Sequence, residues 1–110
     1  MTVYTHSQTA LRFGKLVELY KDGQISEITA QTISKLIDYE INQAKANLEA
    51  TEKDLSAYEK RFGISTKEFF KKYQAGETDD SAESVEWASL AQMAGRIKQR
   101  LEFLMGESSK

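Results

Sequence analysis

Apolar residues recur along this chain at alternating steps of three and four, the repeat that gathers them on one side of an α-helix. The longest run is Ile37, Ile41, Ala44, Leu48, Thr51, Leu55, Tyr58 and Phe62. The chain has no proline, and the glycines that bracket this stretch are Gly23 and Gly63. The spacing therefore predicts one coiled-coil-like helix over 27–62, roughly 50 Å long at about 1.5 Å per residue. At its start Ile28, Ile33, Leu36, Ile37 and Ile41 make a stripe wider than one helix–helix seam requires. A second strict run, Trp87, Leu90, Ala94, Ile97, Leu101 and Leu104, predicts a helix over 81–105 that pairs with the long one. Ala91, Ala94 and Gly95 keep its middle small.

Start and stop signals divide the rest. Lys21-Asp22-Gly23 ends a first helix over 8–21, capped by Ser7 or Thr9 and carrying Leu11, Leu16, Val17, Leu19 and Tyr20 as its apolar set. The preceding residues 1–6 read as a loose arm. Ser26 caps the long helix, with Ile25 and Ala30 placed as a hydrophobic staple. After Phe62-Gly63, Ser65 and Glu68 match a capping box, in which each side chain satisfies the other residue's backbone N–H. The short helix it opens, over 66–75, holds Phe69, Phe70 and Tyr73, a plug for the end of a helical hairpin. An acidic turn follows, and Asp80 or Ser81 caps the last helix.

The expected fold is thus all-α, a single domain over 1–110. It is a long antiparallel helical hairpin with a short connecting helix, and the N-terminal helix packs back on the early half of the long one. Its core comprises Leu48, Leu55, Phe62, Phe69, Trp87, Leu90, Ile97, Leu101 and Leu104.

Composition changes this picture mainly by exclusion. The formal net charge of −2 gives no general footprint for nucleic acid. The absence of cysteine removes disulfides and thiolate metal sites. No apolar run is long enough for a membrane span, and the N-terminus carries no continuous apolar signal region, so the expected compartment is cytoplasmic. His6 has no ligand partner near it in sequence, and Glu77, Asp79 and Asp80 match no Ca²⁺ loop, helix capping being the simpler role. The seam positions are apolar, without the Glu-x-x-His motif of a carboxylate-bridged metal bundle. No nucleophile–base pair can be assembled, so the chain is read as no enzyme, with no catalytic, metal or cofactor site. Lys71, Lys72, Arg96 and Arg100 supply the alternative, a nucleic-acid-binding regulator contacting phosphates. Their duller role is to face the negative ends of helices.

The segment from Tyr58 to Trp87 carries a resemblance. A charged helix ends in Phe62-Gly63, a capped helix begins with Glu68-Phe69, and Tyr73 leads to Gly76-Glu77. Asp79-Asp80 and Glu86-Trp87 complete the pattern. This order resembles small bacterial and archaeal helical proteins similar to the antitoxin partners of toxin–antitoxin operons. The chain departs from it at Ser81-Ala82-Glu83-Ser84, where that pattern is more acidic and aromatic. The resemblance implies a non-enzymatic protein that binds and neutralises a partner toxin through a helix laid in a groove, with anchors among Leu11, Phe13, Leu16, Leu19 and Tyr20. Independently, the long helix outlasts its partner by roughly two turns or more, which leaves part of its stripe uncovered. Homodimerisation is expected there, through Ile28, Ile33, Leu36, Ile37 and Ile41. A purely structural homo-oligomer is the remaining alternative.

Overall fold

The computed structural model describes residues 3–106. These form four α-helices and, among the described residues, no strand: α1 His6–Lys21, α2 Glu27–Phe62, α3 Thr66–Gln74 and α4 Ala82–Leu104. The order and the long second helix match the expected all-α hairpin.

The ends of the helices show why the chain breaks where it does. Helix α1 starts two residues earlier than the sequence suggests, because Thr5, and neither Ser7 nor Thr9, is its cap. The Thr5 hydroxyl accepts from the Gln8 backbone N–H at 3.1 Å, while Gln8 Oε1 accepts from the Thr5 N–H at 2.9 Å. This reciprocal box uses glutamine and draws part of the expected loose arm into the helix. At the other end, Gly23 (φ 71°) lets its own N–H reach the Tyr20 carbonyl and the Gln24 N–H reach Leu19, at 3.1 and 2.8 Å. Ser26 caps α2 as expected, its hydroxyl accepting from the Thr29 N–H at 3.2 Å.

The box expected at α3 is only half formed. Ser65 Oγ accepts from the Glu68 N–H at 3.1 Å. A second free N–H at this helix start, that of Thr66, is taken at 2.7 Å by the Glu59 carboxylate, which reaches over from the last turn of α2. The position of Glu59 among charged neighbours suggests a solvated residue; it ties two helices together instead.

Contacts divide the chain into two compact units, residues 1–38 and 39–110. In the second, α4 runs antiparallel to α2. Ala44 is buried with Ile97 and Leu101 near one end, with Ile41 and Leu48 packed against them. Phe69, Trp87 and Ala88 are buried at the other, under Leu55, Tyr58, Ile64, Phe70 and Tyr73. Between them Thr51 is buried, its hydroxyl 2.8 Å from the Asn47 carbonyl. Ala94 is buried on α4, and Leu90 and Leu104 are half-buried. Trp87, 2% exposed, organises the aromatic end: Phe69 lies parallel on it at 3.9 Å between ring centroids, with Tyr58 at 5.4 Å and Phe62 at 5.6 Å. Its indole N–H donates to Thr66 Oγ1 at 3.0 Å. Phe62, expected in the core, is 47% exposed; it stacks from the rim because the chain turns away at Gly63.

The first unit is different. It holds α1 and the first turns of α2, and among its described residues no side chain is buried. Leu16, Val17, Ile25, Ala30 and Ile33 are half-buried. That is a layer without a core.

Candidate protein-interaction surface

Large hydrophobic side chains left in water are concentrated in this first unit. Val3, Tyr4, Leu11, Phe13, Leu19, Tyr20, Ile28, Leu36 and Ile37 are all exposed there, Leu11 at 71% and Ile28 at 76%. The second unit, nearly twice as long, exposes Tyr39, Phe62, Val85, Met93, Phe103 and Met105. Isolated exposed hydrophobics need no explanation, but a run of them along two successive helices does.

Helical spacing sorts these residues into faces. On α1, Phe13, Leu16, Val17 and Tyr20 recur at i, i+3, i+4 and i+7. The middle two are half-buried, while Phe13 and Tyr20 are exposed. On α2, Ala30, Ile33 and Ile37 share one face, with Ile37 still 43% exposed, and Leu36 and Ile28 lie successively further round the helix. Ile41, one turn beyond Ile37, is half-buried in the second unit against the Ala44 cluster. Ion chemistry adds no sign to the first unit. Its four basic side chains, Arg12, Lys15, Lys21 and Lys35, balance Glu18, Asp22, Glu27 and Asp38. The Arg12 guanidinium lies over the Tyr4 ring at 4.0 Å, a cation–π contact that holds the residues before α1 against it.

In the grooves of the second unit several polar groups are engaged within the chain. The best formed, about 420 Å³, is lined by Leu55, Phe70, Ala91, Ala94 and Gly95, with Glu52, Glu59, Thr66, Lys67 and Lys98 as its polar members. Glu59 and Thr66 are engaged in the hydrogen bonds described above, and Lys98 faces Glu52 at 3.8 Å. A shallower groove of about 300 Å³ beside Phe62 and Trp87 includes Asp79. That carboxylate is the hub of the α4 cap. It accepts from Ser84 Oγ at 2.6 Å, Ser81 Oγ at 2.7 Å and the Ser81 N–H at 3.2 Å. The Ser84 and Ser81 bonds hold its carboxyl below the usual aspartate value. Burial, followed by the nearby Glu86 carboxylate, pushes the Tyr58 phenol above its ordinary value.

Among the described residues no cluster of His, Cys, Asp or Glu is placed to hold a metal ion, and no helix is long and apolar enough to cross a membrane. Lys71 and Lys72 lie exposed in the last turn of α3, and Arg96 and Arg100 lie exposed one turn apart on α4. The ion pairs formed among the described residues, Arg61–Glu83 and Lys98–Glu52, use none of these four. Comparison with family models, curated proteins and solved structures finds no match for this chain.

Proposed function

We propose that this chain is a non-enzymatic protein–protein interaction module, of an antitoxin-like kind that binds and neutralises a partner toxin. One observation carries the reading. The 39–110 unit has its own core, whereas the 3–38 segment displays large apolar side chains on two successive helices without burying one of them. Exposed apolar surface at helical spacing is the usual currency of helix-mediated recognition. The antitoxin element rests on the sequence pattern between Tyr58 and Trp87.

The experiment is co-expression with the product of the adjacent reading frame. The expected result is a complex that co-purifies and relieves growth inhibition by that product. Substituting Leu11 and Phe13 by glutamate should abolish both effects. A neighbour that is harmless alone, or that ignores this chain, defeats the antitoxin reading.

A further inference from the structure

We infer that the notch where α3 meets the α2–α4 pair binds a small uncharged aromatic ligand with a hydrogen-bond-accepting carbonyl, in its simplest form an aryl ketone. The notch lies wholly within the 39–110 unit, and the inference is independent of the partner reading.

Side-chain size on α4 creates the space. Ala91, Ala94 and Gly95 leave about 420 Å³ open beside Leu55 of α2 and Phe70 of α3. Ala94 is buried, and Leu55, Phe70 and Ala91 are half-buried, so the apolar wall is sheltered. A Cβ added at Gly95 would meet no heavy atom within 4 Å. The volume falls within the roughly 300–1,000 Å³ of small-molecule pockets. It exceeds the roughly 150 Å³ in which a single benzene ring binds.

The polar groups set the ligand's chemistry. Lys67 and Lys98 stand with Glu52 and Glu59 around the apolar wall, and both carboxylates are engaged, Glu59 with the Thr66 N–H and Glu52 with Lys98. An ion entering the notch would lose hydration without a dedicated counter-charge, which disfavours a charged ligand. Thr66 supplies the positive selection. Its Oγ1 accepts the Trp87 indole N–H at 3.0 Å, while its own O–H has no acceptor among the described residues. A threonine hydroxyl carries one donor besides its acceptor lone pairs. The half-buried Thr66 therefore offers a spare donor at an apolar wall, and a carbonyl oxygen on an apolar body satisfies it.

Trp87 is the single tryptophan, so its indole N–H gives one proton resonance that reports directly on the Thr66 oxygen. Titrating the full chain with acetophenone should move that resonance saturably, with a Kd on the order of 1 mM, as suits so small a ligand. Ethylbenzene, which has the same shape without the oxygen, should bind about fivefold more weakly, and benzoate should also bind more weakly than the ketone. Gly95→Leu fills the notch from an unstrained helical position and should abolish the shift. Ser89→Leu, which adds the same bulk to α4 outside the notch, should leave it unchanged. The inference is overturned by any of four results: no saturable shift up to the solubility limit of acetophenone, a shift that survives Gly95→Leu, a shift lost equally in Ser89→Leu, or ethylbenzene or benzoate binding as tightly as the ketone. The ligand comparison uses the wild-type chain, so it decides even if Gly95→Leu fails to fold.

Discussion

Replacing Trp87 by alanine should damage this protein more than any other single truncation in the 39–110 unit. The side chain is 2% exposed, carries Phe69 flat against it at 3.9 Å, and contacts Tyr58 and Phe62 at stacking distance. Truncating a buried aromatic costs about 3–5 kcal/mol, the transfer energy plus the cavity left behind. Domains are stable by only about 5–15 kcal/mol in total, so this is a large share for a unit spanning residues 39–110. The hydrogen bond can be separated from the packing. Thr66→Val keeps the ring stack but leaves the buried indole N–H without its acceptor, for which about 1–3 kcal/mol is expected. Trp87→Phe loses donor and some area together and should fall between the two. Urea unfolding followed by circular dichroism measures all three, because that signal survives removal of the tryptophan. Phe103→Ala is the control, at 85% exposure, and should stay within about 0.5 kcal/mol of wild type. If Trp87→Ala loses less than about 1.5 kcal/mol, the aromatic end is not the organising cluster described here.

The two glycines Gly63 and Gly95 should respond to alanine in opposite directions. Neither has a heavy atom within 4 Å of an added Cβ, but Gly63 sits at φ 73° and Gly95 lies within α4. Gly63→Ala should cost about 1–2 kcal/mol of backbone strain and Gly95→Ala should gain about 0.5–1 kcal/mol, both read from urea midpoints. Thr51→Val should be neutral or stabilising by the same assay. Its hydroxyl bonds back to a carbonyl four residues earlier in its own helix, so the methyl group replaces it without orphaning an acceptor. Asp79→Asn should show a pH-dependent effect. Folding lowers the Asp79 carboxyl, so the cap's contribution is complete above about pH 4 and is lost as the pH falls through the lowered folded value. The stability gap between wild type and Asp79→Asn should therefore be widest near neutrality and close in strong acid; a constant gap in thermal melts would refute the role given to its charge.

Much of this architecture is legible in the pattern of residues because the second unit follows from local rules. The three–four spacing of Ala44, Leu48 and Thr51 against Ala94, Ile97 and Leu101 identifies both faces of the hairpin, and Gly63 and Gly76 mark where its helices stop. What escapes the pattern depends on a third element. Glu59 has the profile of a solvated glutamate, and only the return of α3 toward the end of α2 makes it a cap for Thr66. Thr5 escapes because the glutamine three residues on is a weaker signal than the serines and threonines around it.

Ile37 and Ile41 show the same limit where it bears on function. They are one helical turn apart on a single stripe, have the same side chain, and are indistinguishable by periodicity. Ile41 packs against the cluster of Ala44, Ile97 and Leu101, while Ile37 is left 43% exposed. Periodicity states that a residue wants cover; it cannot state where the cover comes from. A helix that needed only its own chain would lose its apolar stripe where its partner ends, since a large hydrophobe left wholly in water forgoes about 1.5–3 kcal/mol of burial and a half-exposed one a share of that. Here the stripe continues through Ile37 and Ile33, and α1 adds Leu11, Phe13 and Tyr20 without burying them. The apolar residues persist past the last internal cover, which is why the interaction proposed for this protein is placed on residues 3–38 and not on the unit that buries its own core.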